Sequence, residues 1–232
     1  MLELVPAGRS VAWERSIVGT LDAVASMYAV DGARTYALGV SSGGAMAVIL
    51  GATYPDRFAA IASGEGLEYK AGTSLLGGYI ARSDEGPAPA TQGALAHDAM
   101  GAAARVVATF VVAGDADTTV KPIDAEQTLS QWAQTNDLAS GGLDDDNIDD
   151  IPEAATNGEV QGGHAYTVST YSDATTGNVV LPKLTVAGMG HARSGGDAMG
   201  SYIDPKGPVR VGWRGSSSRA GRCRSPTTRA QR

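Results

Sequence analysis

The chain has 232 residues, is 43% hydrophobic and carries a formal net charge of −7, which allows one sizeable core and argues against two equal domains. No run reaches the roughly 18 uninterrupted apolar residues of a membrane helix, and the opening MLELVPAGRS lacks the apolar centre of an export signal. The lone Cys223 excludes an intramolecular disulfide and any cysteine-based metal site.

From Ser10 to about Ala29, Trp13, Ile17, Leu21, Val24 and Tyr28 recur at steps of three and four. That spacing predicts a helix burying this face, with Ser10 as N-cap. Asp31-Gly32 turns the chain, and Thr35 to Val40 is a short β-prone run of the kind found in a buried parallel sheet. Ala45 to Thr53 reads as a second helix, stopped before Tyr54-Pro55-Asp56. Phe58 to Ser63 and Val106 to Ala113 are further buried-strand candidates. Pro122 suits a first helical turn, so Ile123, Leu129 and Trp132 are placed on a helix ending near Leu138. AYTVSTY, opened by His164, and Val179 to Ala187 complete the strands, while residues 64 to 90 and 139 to 158 read as irregular. Strands alternating with helices predict an α/β layered fold with a mainly parallel sheet and flanking helices.

The chemistry concentrates around the first strand. Gly39-Val40-Ser41-Ser42-Gly43 fits the spacing G-x-S-x-G, whereas centring the pattern on Ser42 would need glycine at Val40. A serine on a sharp strand-to-helix turn is exposed for attack, and residues without side chains let strand and helix approach. Ser41 is therefore the candidate nucleophile, and Ser42 contributes its backbone amide to an oxyanion site at the new helix N-terminus. The bland alternative is a glycine-rich turn with two solvent-facing serines.

A serine alcohol needs a base, and the histidines are His97, His164 and His191. His97 lies in a helical stretch and His164 at a strand start, where structural roles are expected. His191 follows a strand through Gly-Met-Gly, where a sheet presents catalytic groups. The orienting acid comes from VVAGDADTTVKP: Asp117 lies mid-loop, while Asp115 suits a turn cap. The acidic run from Asp144 to Asp150 lacks the order of a calcium loop and reads as a solvated segment. Gly77-Gly78 matches neither phosphate-binding pattern, so no cofactor is expected.

DGARTYALGVSSGGAMAVILGATYPDRFAA, then GDADTTVKP followed by QWA, then GMGHARSGGD make the chain resemble the polyhydroxybutyrate depolymerase and esterase family over roughly residues 13 to 207. Feruloyl and acetylxylan esterases are related to it. The resemblance implies an α/β-hydrolase fold, a Ser41, Asp117, His191 triad, an acyl-enzyme route, a polyester or small ester as substrate, and an extracellular setting. It also implies departures. Arg193 stands where many relatives have Trp, GLEYKAGTS lacks a cysteine that some carry, and the chain begins after the strands and His-Gly loop that open the family domain. Residues 1 to 207 are thus expected to be a partial catalytic domain lacking its N-terminal strands, weakly active or inactive, and prone to self-association through an exposed sheet edge.

The charge is divided unevenly. Residues 1 to 207 hold all 25 acidic groups against 11 Lys and Arg, giving −14, and residues 208 to 232 hold seven Arg and no acid, giving +7. This basic tail has no hydrophobic period. It reads as the out-of-frame translation of a GC-rich gene rather than a nucleic-acid arm, so no nucleic-acid partner is expected. The rival reading of the whole chain is a non-catalytic remnant or a basic-tailed binding protein.

Overall fold

The structure, a computed structural model, describes residues 13–72, 75–83 and 86–209. The expected N-cap at Ser10 and nearly all of the basic tail lie outside the described residues.

Helix α1 (Trp13–Met27) leads through a 3-10 turn, Gly32–Arg34, into β1 (Tyr36–Val40) and α2 (Ser42–Thr53). Then come β2 (Ala60–Gly64), α3 (Leu75–Ala81), α4 (Pro89–Met100), β3 (Ala108–Gly114) and α5 (Pro122–Gly141). The chain continues with β4 (Ala154–Glu159), β5 (Ala165–Ser172), β6 (Val179–Val186) and a small pair, β7 (Arg193–Ser194) and β8 (Ile203–Asp204). The large sheet has the order β1-β2-β3-β6-β5-β4. Its first four strands are parallel, as the crossovers through helices require, while β5 runs antiparallel to β6 and β4 antiparallel to β5.

One face of the sheet meets the helices. Ala37, Ile61, Val111 and Leu181 point toward Val48, Leu129 and Trp132, which are almost wholly buried. Successive strand residues face opposite ways, so Leu38, Phe110, Val112 and Leu184 line a cavity of ≈ 300 Å³ on the other face, together with Arg193 and Pro208. Asn136 of α5 ties helix to strand by accepting from the Val107 amide at 2.8 Å and donating to the Val107 carbonyl at 3.1 Å.

Three expectations are corrected. On α1 the buried positions are Glu14 and Val18, with Leu21 partly packed, whereas Trp13 is 76% and Tyr28 67% exposed. Among the described elements α1 packs chiefly on α2, so the helix turns its 14–18–21 side inward and leaves the rest of the apolar stripe, Trp13, Ile17, Val24 and Tyr28, exposed. The stretch 64 to 90 contains α3 and the start of α4. The stretch 139 to 158 contains β4, whose polar sequence AATNGE carries no alternation because an outermost strand pairs through its backbone with little to bury. The acidic run is solvated as expected, with Asp144, Asp145, Asp146 and Asp150 exposed, and it is pinned to α5. The buried Asp137 carboxylate accepts from the amides of Asp145, Asp146 and Ile148, and Ile148 is 1% exposed.

Candidate active site

The carboxyl ends of β1, β3 and β6 carry Ser41, Asp117 and His191 on the loops that follow them. Ser41 caps α2 with φ 58 and ψ −125, a strained conformation for a residue with a side chain. Its amide donates to the Gly64 carbonyl at 2.8 Å and its carbonyl accepts from Ala45 at 3.1 Å, so strand pairing and the new helix hold the strain between them.

The reversal is tight at Gly39, where a Cβ would lie 2.1 Å from the Gly43 carbonyl oxygen. The expectation that both motif glycines are needed is corrected, because a Cβ on Gly43 would meet nothing within 4 Å. The second close approach belongs to Gly44, whose Cβ would lie 2.8 Å from the Gly64 carbonyl oxygen. Ser42 opens α2 and is exposed. Amides of a first helical turn have no intrahelical acceptor and bear the positive end of the helix dipole.

Asp117 is 4% exposed and its acceptor capacity is used. Oδ1 accepts from the amides of Thr119 at 2.7 Å and Val120 at 3.0 Å, and Oδ2 lies 2.7 Å from His191 Nδ1. A carboxylate only accepts, so the contact calls for a proton on His191 Nδ1, which leaves Nε2 with a free lone pair. No hydrogen bond joins the Ser41 hydroxyl to His191; such contacts are commonly long in ligand-free enzymes and tighten when substrate binds. Asp115, expected to cap its own turn, instead reaches across to the next loop: its Oδ1 accepts from the Gly188 amide at 2.6 Å, and the neighbouring Ala116 amide donates to the Met189 carbonyl at 3.1 Å. The loops after β3 and β6 are thereby joined at three points.

Beside Ser41 opens a cavity of ≈ 510 Å³ with walls from Ala45, Met46, Ile49, Leu67 and Val120, and with Glu65 and Arg82 also in its lining. Sequence reasoning missed Glu65, which sits in the glycine-rich SGEG stretch at φ 42. It is 3% exposed, and burial, with a further push from the Asp117 charge, raises its carboxyl to about 8. Two more buried acids were missed. Burial, with the charge of Asp124, raises Glu68 to about 8, and burial raises Asp124 to about 7 against the lowering pull of Lys121.

The other histidines lie elsewhere. His97 is half-buried on α4, and His164 Nε2 lies 2.9 Å from Asp204 Oδ2. Among the described residues, no group of three or more His, Cys, Asp or Glu converges to hold a metal, and no helix is long and apolar enough to cross a membrane.

Comparison with known proteins bears on this site. The family model described as Esterase PHB depolymerase matches residues 6–146. Poly(3-hydroxyalkanoate) depolymerase C of Paucimonas lemoignei is 28% identical over 192 residues, covering 82% of this chain and 41% of the relative. Feruloyl esterase B of Talaromyces stipitatus is 30% identical over 132 residues, covering 53% of this chain and 37% of the relative. The chain therefore spans about two-fifths of the length of these relatives. Among solved structures, the acetyl xylan esterase from Aspergillus awamori superposes with a TM-score of 0.61 at 22% identity, covering 77% of this chain and 61% of that one. That likeness shows the fold, an α/β-hydrolase with a mainly parallel sheet and flanking helices.

Proposed function

Because the chain belongs to the esterase and PHB depolymerase family, we propose that it is a carboxylic ester hydrolase acting through a serine acyl-enzyme. Ser41 Oγ attacks the ester carbonyl while His191 Nε2 takes its proton, with Asp117 holding the imidazole in the required tautomer. The negative oxygen that develops is met by the Ser42 amide at the start of α2. Collapse of this intermediate breaks the bond to the alcohol, which departs with the proton from His191. Water, deprotonated by the same nitrogen, then releases the acid and restores Ser41. The cavity beside Ser41, apolar apart from Glu65 and Arg82, suits an acyl chain.

The observation that carries this reading is the strained Ser41 backbone at the N-terminus of α2, beyond the same end of the sheet as the His191–Asp117 pair. Strain of this kind persists only where the surrounding structure enforces it, and it concentrates at working sites. The substrate class is a polyester or small ester, in keeping with the names of the relatives, and the setting is extracellular. A fluorophosphonate probe should label Ser41, and p-nitrophenyl butyrate turnover should vanish in Ser41→Ala. Labelling at another residue, or turnover that survives the substitution, overturns the assignment.

A second reading, a non-catalytic protein, is favoured by β1 being outermost among the described strands, with Leu38 76% exposed. A nucleophile on a sheet edge lacks support on one side. An unlabelled Ser41 in protein whose other properties are those of a folded chain would select this reading.

A further inference from the structure

The base–acid pair is not the molecule's only imidazole–carboxylate contact. His164 Nε2 donates to Asp204 Oδ2 at 2.9 Å, with the two side chains 19% and 20% exposed. One partner lies against the turn upstream of His191, and the other belongs to the strand that pairs downstream of it.

Upstream of His191, the chain turns at Gly188, whose φ of +73 is a conformation that favours glycine. The His164 ring packs against this turn: a Cβ built on Gly188 would lie 3.5 Å from His164 Nδ1. Downstream of His191, β7 pairs with β8, through Arg193 N to Tyr202 O at 2.8 Å and Gly195 N to Asp204 O at 2.9 Å. Asp204 therefore belongs to the strand that anchors the far end of the same loop. Its Oδ1 is held by the Lys206 amide at 2.9 Å, and the Lys206 carbonyl accepts from the His164 amide, also at 2.9 Å. The Val160 amide donates to the His164 carbonyl at 2.9 Å, fixing the β4–β5 reversal in turn.

We propose that His164 is a positioning residue: with Asp204 it braces both ends of the segment from Gly188 to Arg193, and so sets where His191 Nε2 stands relative to Ser41. The inference rests on the reading of His191 as the base. Asp117 and Asp115 hold His191 and its loop from the β3 side, while the His164–Asp204 pair holds the same loop from the β5 and β8 side. With two anchors the imidazole can neither slide along the sheet nor tilt out of it. A displacement of about 1 Å in a reacting group costs on the order of 10²-fold in rate, so a brace this far from the reacting atoms acts on turnover without touching substrate.

The test compares His164→Ala, His164→Gln and Asp204→Asn in the full chain. Glutamine places an amide N–H where His164 Nε2 stands and should restore the bond to Asp204. In His164→Ala and Asp204→Asn, kcat for p-nitrophenyl butyrate should fall roughly 10- to 100-fold with KM little changed, and His164→Gln should recover most of the loss. The second readout needs no turnover: the low-field proton resonance of His191 Nδ1–H, assigned by its disappearance in His191→Ala, should broaden or shift in His164→Ala and return in His164→Gln. An unchanged resonance in a folded His164→Ala overturns the brace even if the esterase reading stands. A chain without esterase turnover but with the resonance behaving as described overturns the esterase reading and leaves the brace.

Discussion

Gly39 and Gly43 occupy equivalent places in the motif around Ser41 and have different physical burdens. An alanine at position 39 would force a methyl to 2.1 Å from the Gly43 carbonyl, a distance no real contact tolerates, so strand or helix must shift. Gly39→Ala should therefore unfold the protein or lower its melting temperature by many degrees. Gly43→Ala meets open space within the first turn of α2, and removing glycine's unfolded-state freedom should leave stability unchanged or raise it by up to about 1 kcal/mol. Thermal melts of the two variants side by side check this, and equal losses would refute it. The contrast shows how far the site was legible. Ser41, Asp117 and His191 could be named as candidates because each follows a strand and leaves a sequence mark. Glu65 could not, because its burial and its proximity to Asp117 arise from where β2 ends in space, which no local pattern records. The partnership of His164 with Asp204 spans 40 residues and was invisible for the same reason.

At the scale of elements, the sheet leaves one side of β1 unpaired: its sole neighbour among the described strands is β2. Tyr36 is 53% and Leu38 76% exposed, and no charged residue interrupts the strand. A charge-free edge of this kind is a template for other chains. The protein should self-associate reversibly at micromolar concentration, and Leu38→Lys should shift sedimentation toward monomer without lowering the melting temperature. A wild type that sediments as a monomer at all concentrations would refute this. The elements easiest to foresee, β3 and α5, are those whose residues satisfy propensity and burial together. Helix α1 was foreseen as a helix, but its buried face was not. Periodicity reports that an apolar stripe exists, and only the neighbouring elements decide which side is covered. β4 escaped notice because an edge strand held by backbone pairing needs no hydrophobic pattern.

For the whole molecule, the buried acids set the response to pH. Glu65 and Glu68 are raised from 4.5 to about 8, and Asp124 from 3.8 to about 7. The folded chain thus keeps protons that the unfolded chain has already released. Their contribution to stability is fully present below the unfolded values and is lost as pH rises through the folded ones. The melting temperature should accordingly decline from about pH 5 to pH 8.5, most steeply between about 5 and 7 and levelling off as the pH passes through the folded values. The Glu65→Gln, Glu68→Gln, Asp124→Asn triple variant should flatten that decline, and a variant curve parallel to the wild type would rule out these groups as its origin.

The same sheet order divides the candidate site unequally in mechanical terms. His191 and Asp117 ride on β6 and β3, interior strands whose following loops are stitched by Asp115 to Gly188 and by Ala116 to Met189. Ser41 follows the strand that is outermost among those described, a five-residue ladder whose one described neighbour is β2. Local opening starts where few bonds must break at once. The amides of β1 should therefore exchange with deuterium orders of magnitude faster than those of β3 and β6. On warming, Ser41 would leave its place while the imidazole–carboxylate pair remained assembled, so that heat would abolish the proposed turnover well below the temperature at which the chain unfolds.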